Sequence, residues 1–205
     1  MYKKIIVFEG IDGSGKTYHI NEVSKYLTKK KIKFVKIREP GGSRNAENIR
    51  KIILNKRSTN KKKTDLLLYL AARNENVERL IKPNINKKVI LIDRFTDSTL
   101  AYQHYGFKIN MQIIKKINIF ILGNIKADFT FLNIVPIKDI KKNISGNKNK
   151  YDNFNKNFYR KVQAGFLKIL KKNKNKLIID SSKQKKYNVE IIKRKINKIL
   201  KINDK

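Results

Sequence analysis

The chain has 205 residues, 50 Lys and Arg against 16 Asp and Glu, a net charge of +34 and no cysteine. That length suits one domain with a real core, and the missing cysteines exclude a disulfide framework and any thiolate metal site. The charge does not single out nucleic acid as a partner: most of it is Lys, accompanied by Ile and Asn, three residues with A/T-rich codons, in scattered runs such as Lys171 to Lys176 and Lys195 to Asn203.

This composition predicts salt-sensitive, non-specific polyanion binding and no specific nucleic-acid partner. His19 and His104 have no ligand-spaced partners. No apolar run approaches the roughly 20 residues of a membrane span, and IIVF after Met1-Tyr2-Lys3-Lys4 is too short for a signal segment, so a soluble, cytoplasmic protein without membrane contact is expected. The sequon at Asn143 is then a chance match.

Residues 4–9, KIIVFE, read as a first strand. Directly after it, Gly10 to Thr17, GIDGSGKT, matches G-x-x-x-x-G-K-[ST] and opens a helix expected over 15–31, the context in which that motif holds nucleotide phosphates. Small residues let Gly10, Ile11, Asp12, Gly13, Ser14 and Gly15 turn their N–H groups into one concavity at a helix N-terminus. Lys16 then neutralises the outer phosphates, and Thr17 offers its hydroxyl to Mg²⁺. Asp12 is out of place in such a loop, a carboxylate where anions bind.

A second strand at 33–37 delivers Arg38 to its carboxyl end, ahead of a Pro40-Gly41-Gly42 turn and a helix over 44–55. In the next helix, 64–81, Leu67, Leu70 and Ala71 form an apolar stripe, Thr64 caps the start and Arg73 falls off the stripe. The third strand, 89–93, ends in Asp93, beside the phosphate loop in a doubly wound sheet and within reach of a metal shell; capping the next helix is the alternative use of this residue. Arg94 follows it, on a helical stretch over 94–120 that breaks near Gly106. A strand at 128–134, helices at 136–145 and 152–173, a strand at 177–180 and a helix over 187–202 complete the pattern.

Strand and helix alternate throughout, which predicts an α/β fold of the P-loop NTPase kind: a five-stranded parallel sheet with helices on both faces, in a single domain over 1–205. Lys16, Arg38 and Arg94 at three strand ends supply more positive charge than one nucleotide needs. Two sets of phosphates are therefore expected in one crevice.

FEGIDGSGKT, REPGG, LAAR with its Arg73, and DRFTDSTLAYQ at Asp93 to Gln103 stand in the order and spacing of the bacterial thymidylate kinases, which this chain resembles. KYDNF…FYRKVQAGF, from Lys150, is similar to that family's lid-plus-helix region more loosely. The resemblance implies transfer of the ATP γ-phosphoryl group to dTMP with Mg²⁺, a mobile lid at about 141–157 and a homodimer. It implies catalytic roles for Lys16, Arg38, Arg94 and Lys150, metal contacts from Thr17 and Asp93, and a dTMP pocket of Asp12, Arg38, Pro40, Tyr69, Arg73, Arg94, Ser98, Tyr102 and Gln103. Within that pocket Tyr69, where the family commonly has Phe, covers the thymine face; Arg73 meets the base edge, and Tyr102 opposes a ribose 2′-hydroxyl. Asp12 then has two open roles, accepting from the dTMP 3′-hydroxyl or bracing the loop through backbone N–H groups.

The lid departs from the family pattern. Gly13 stands where one type of member carries a loop arginine, and 141–157 contains no arginine to compensate. Lys150 and Asp152 occupy the expected Arg and Glu positions. Lys keeps the charge and loses the planar fork, so a working but slower lid is expected. Two other readings stay open on the sequence: another nucleoside monophosphate kinase on this fold, and a basic P-loop NTPase that binds nucleic acid.

Overall fold

The computed structural model describes residues 3–139, 154–171 and 173–202. Five strands, β1 (Ile5–Gly10), β2 (Phe34–Arg38), β3 (Val89–Asp93), β4 (Phe129–Ile134) and β5 (Lys176–Asp180), form one sheet in the order β2-β3-β1-β4-β5. Every pairing is parallel. The expected strands agree with these to within one residue at each end.

Successive residues of a strand face opposite sides, so β1 supplies two cores. Ile6 and Phe8 point to one face, where α1 (Lys16–Lys29) and α7 (Lys185–Leu200) cover them with Ile20, Val23, Ile192 and Ile196. Ile5 and Val7 point to the other, under α3 (Lys62–Asn76) and α5 (Met111–Leu122), with Leu66, Leu70, Ile114 and Ile121. A third cluster joins Ile11, Tyr102 and Leu132 to α6 (Lys156–Leu170) through Val162 and Phe166. Gly165 permits that contact, because a Cβ there would stand 2.7 Å from the Tyr105 ring.

Two details of α3 differ from expectation. The helix starts at Lys62, so Thr64 lies within its first turn and caps nothing; buried Asp65 in that turn supplies the negative charge a helix N-terminus favours. The Leu67 and Ala71 side of the stripe faces outward, Leu67 being 58% exposed, whereas Arg73 is on the buried face. Burial there is tolerable because Arg73 has anionic and polar partners, described below. α3 runs on as a wider π-turn, Val77–Ile81.

α2 (Arg44–Leu54) follows the β2 turn, capped by Ser43, whose hydroxyl accepts from Ala46 N. α4 (Thr96–Thr99) continues into a π-helical stretch, Leu100–Gly106, and stops at the expected glycine. Of the helix expected at 136–145, a short 3-10 turn at Ile137–Asp139 is described, and the remainder lies outside the described residues, as does most of the proposed lid. Among the described residues, no helix is long and apolar enough to cross a membrane.

β1 connects toward β2 on one side and β3 toward β4 on the other, so the crevice at their carboxyl ends is a topological switch point. Phe8 pairs with Asp93 across it.

Candidate active site

The loop after β1 wraps the start of α1. Gly10 has φ +139, and a Cβ there would collide with the Asn133 carbonyl; Gly15, at φ 82, caps the helix. Lys16 folds back across the loop, its Nζ donating to Ile11 O at 2.7 Å, and is 5% exposed. Burial, then the nearby Arg94, lowers its ammonium to about 8. A cation so poorly solvated is stabilised by an arriving anion.

Thr17 Oγ1 donates to Asp93 Oδ2 at 3.1 Å, tying the loop to the end of β3. These two oxygens form a sparse, hard donor set of the kind that holds Mg²⁺ together with waters and phosphate oxygens. Among the described residues there is no cluster of three or more His, Cys, Asp or Glu side chains that would make a protein cage for a metal.

Two cavities meet here. The larger, about 630 Å³, is lined by Asp12 to His19 with Arg38, Asp93, Ser181, Lys185 and Asn188. The smaller, about 90 Å³, is lined by Pro40, Leu54, Tyr69, Arg73, Phe95, Ser98, Thr99, Tyr102 and Gln103. Asp12, Glu39, Arg50 and Arg94 belong to both walls.

At the junction Asp12 is held from two sides, with Oδ1 accepting from Arg94 NH2 and Oδ2 from the Tyr102 hydroxyl at 2.7 Å. Burial alone would raise its pKa, but Arg94, Lys16 and the Tyr102 bond outweigh it and hold the carboxyl below the usual range. Its own N–H donates to Tyr102 Oη at 3.2 Å. Asp12 thus joins the loop to the helix that walls the small cavity.

Arg94 occupies the left-handed region at φ 69, unusual for a side chain of its size, and so throws its guanidinium across the sheet end to Gly10 O at 2.8 Å. Glu9, fully buried, clamps that turn by accepting from Phe95 N at 2.8 Å, Ser98 N at 3.2 Å and the Ser98 hydroxyl. Burial, with Asp97 beside it, raises Glu9 to about 7, and burial raises Asp97 to about 6.

Deeper in the small cavity, Arg73 Nε and NH2 donate to Glu39 Oε2 at 2.8 and 2.6 Å, and NH1 donates to Asn118 Oδ1 at 2.6 Å. This pair is 3% and 5% exposed. Glu39 Oε1 and Gln103 Oε1 are buried without a hydrogen-bond partner. Buried oxygens left unpaired in the wall of a cavity are acceptors ready for a ligand's N–H or O–H.

The structure brings Pro40, Tyr69, Arg73, Arg94, Ser98, Tyr102, Gln103 and Asp12 together, as the sequence predicts. Ser98, however, spends its hydroxyl on Glu9 and Arg94. Arg38 stands apart: it lines only the larger cavity, 58% exposed at its side chain, in a two-point pair with Glu47 at 3.1 and 2.9 Å. Lys150 lies outside the described residues.

Sequence reasoning missed Glu9, Glu39, Arg50, Phe95 and Ser181. Glu9 had a signal, a carboxylate inside the apolar strand IIVFEG. Arg50 had none: it is one cation in a basic helix, and only the fold turns it toward Pro40 O, to which NH1 donates at 2.5 Å. Ser181 reaches the loop from beyond β5, donating to Ser14 O at 2.6 Å.

The family model for thymidylate kinase matches residues 8–192. A thymidylate kinase of Thermosipho melanesiensis is 37% identical over 197 residues, covering 95% of this chain and 98% of that protein. One from Prochlorococcus marinus strain MIT 9312 is 40% identical over 200 residues, covering 93% and 94%. The crystal structure of thymidylate kinase from Ehrlichia chaffeensis superposes with a TM-score of 0.77 at 30% identity, covering 95% of this chain and 98% of that one. A phosphate loop, an adjoining small cavity of paired ions, and relatives matched over nearly their whole length agree: the chain belongs to the thymidylate kinase family.

Proposed function

We propose that the chain transfers the γ-phosphoryl group of ATP to dTMP, giving dTDP and ADP in the synthesis of dTTP for DNA replication, with the two cavities dividing the substrates between them. The observation that carries this reading is the small cavity itself: its wall holds a buried donor, Arg73, and an unpaired acceptor, Gln103 Oε1, together with Arg94 and Asp12, which it shares with the phosphate-loop cavity. That array suits a base edge bearing both a carbonyl and an N–H, with its phosphate directed at the loop.

In this division the loop N–H groups and Lys16 hold the ATP phosphates. Arg94 grips the acceptor phosphate and steadies charge spread over the transferred group, which is most of what phosphoryl transfer demands. Arg38 assists from the donor rim after leaving Glu47. Asp12 faces the sugar, Tyr69 covers the base and Tyr102 fills the space a 2′-hydroxyl would need. The divalent metal is Mg²⁺, held by Thr17 and Asp93; when bound it supplies charge neutralisation between phosphate oxygens.

The chain acts as one catalytic domain in the cytoplasm, with 141–157 as its lid and Lys150 as the lid cation. Lys150→Ala should lower the turnover number several-fold; an unchanged value with Lys148 intact would move the role elsewhere. A second copy covers the apolar side chains exposed on α2, α3 and α5: Ile52, Leu67, Ile113 and Phe120 are 53, 58, 52 and 87% exposed. Such a set on neighbouring helices suits a homodimer face. Phe120→Asp should shift sedimentation toward the monomer.

The reaction is tested by coupling ADP release to a panel of nucleoside monophosphates. dTMP should give the strongest stimulation, and a stronger response to another monophosphate would overturn the assignment.

A further inference from the structure

We infer that Asn118, on α5 and outside the cavity wall, is a positioning residue that sets the base preference of the acceptor pocket by fixing the Arg73 guanidinium. The inference rests on the reading of the small cavity as the site of the thymine base.

A guanidinium carries five N–H donors in one plane. In Arg73 three are committed: Nε and NH2 both point at the single oxygen Glu39 Oε2, and NH1 points at Asn118 Oδ1. Phe95 lies against the guanidinium, its ring centre 5.3 Å away. Two N–H groups therefore remain for a ligand.

Glu39 alone would leave their direction loose, because two donors converging on one oxygen leave the guanidinium free to pivot about it. The bond to Asn118 lies at another corner of the plane and removes that pivot. Asn118 is itself oriented by its own helix: Nδ2 donates to Ile114 O at 3.0 Å, so the oxygen faces Arg73, and the side chain is buried. Charge is not what Asn118 adds, since Glu39 already neutralises Arg73. What it adds is direction.

Directed N–H donors reward a carbonyl at position 4 of a pyrimidine and oppose an amino group there, and the penalty arises because the wrong base leaves buried donors facing donors. A loosened Arg73 can turn away from the amino group, so preference falls even where the pocket stays intact. The contact to the base is made alike in the ground and transition states, so its loss belongs in KM and not in kcat.

The test compares dTMP with 5-methyl-2′-deoxycytidine monophosphate, which keeps the methyl group and exchanges the carbonyl for an amino group. Asn118→Leu fills the same volume without an acceptor. It should raise KM for dTMP roughly ten- to hundred-fold, the range for losing a hydrogen bond to a charged group, and lower the preference for dTMP by at least about five-fold. The turnover number and KM for ATP should stay near wild type. Asn118→Asp, which keeps an oxygen toward Arg73 but loses the donor to Ile114 O, should restore the preference in part. Should Asn118→Leu not fold, Asn118→Ser, whose hydroxyl is too short to reach NH1, carries the same expectation.

An unchanged preference in the variant lacking the acceptor, or a parallel rise in KM for ATP, would overturn the inference and leave Asn118 a structural residue. Arg73→Lys separates the two layers. If it lowers the preference and Asn118→Leu does not, only the role of Asn118 fails; if Arg73→Lys leaves the preference intact, the reading of the pocket fails and this inference with it.

Discussion

The two cavities that meet at Asp12 and Arg94 are built in different ways. The larger, at about 630 Å³, takes half of its lining residues from one contiguous run, Asp12 to His19, the phosphate loop and the start of α1. The smaller, about 90 Å³, is assembled from the ends of β1, β2 and β3 with α2, α3 and the α4 helix, and its side chains are locked in pairs. Asp12 holds Arg94, and Glu39 holds Arg73; the second pair is almost wholly buried, where a charge left alone would cost several kcal/mol. A phosphate site can be local in sequence since any backbone supplies N–H groups; a base site needs particular side chains facing one another.

That difference predicts which substitutions stay on one side. Arg94→Ala should have the largest effect because it belongs to both walls: it removes a transition-state cation and leaves Asp12 uncompensated, lowering kcat/KM for either substrate by on the order of 10³. Steady-state kinetics varying each substrate in turn checks this, and an effect confined to dTMP would make Arg94 an acceptor residue only. Lys16→Met should follow, with turnover lowered about 10²-fold or more and KM for dTMP barely changed. Asp12→Asn is milder, raising KM for dTMP by about ten-fold and KM for ATP less; equal changes in both would favour the bracing role over contact with the sugar.

The smallest expected effect concerns pH and arises beneath the Arg94 turn. Glu9 is raised from 4.5 to about 7, and Asp97 to about 6, so between those values the folded protein keeps protons that the unfolded chain has released. The stability these groups contribute is complete below their unfolded pKa values and is lost as pH rises through about 6 and then about 7. Glu9→Gln should flatten that decline in thermal melts followed across the window. An equally steep decline in the variant would assign the proton to other groups.

Much of the fold was legible because strands such as VILID and FTFLNI are short apolar runs between helical periods, and burial on both faces demands that pattern. The helix at Lys62–Asn76 was legible in extent but not in orientation. Leu67 and Ala71 have helical spacing with Leu70, yet the face turned inward carries Leu66, Leu70 and Arg73. A stripe of spacing cannot tell a core from an interface, and a buried arginine is unreadable without its partners. Ser98 shows the same limit: it lines the small cavity, while its hydroxyl serves the Glu9 clamp.

The sequence by itself determined the phosphate loop, the succession of five strands along the chain and the family, since these depend on local backbone chemistry and on residues close together in the chain. Only the tertiary structure decided how the charges pair: Arg38 with Glu47 at the rim of the larger cavity, Arg73 between Glu39 and Asn118, and Glu9 beneath the Arg94 turn. Those pairings follow from desolvation, which forces each buried ion toward whatever partner the packing of the sheet and helices brings within about 3 Å.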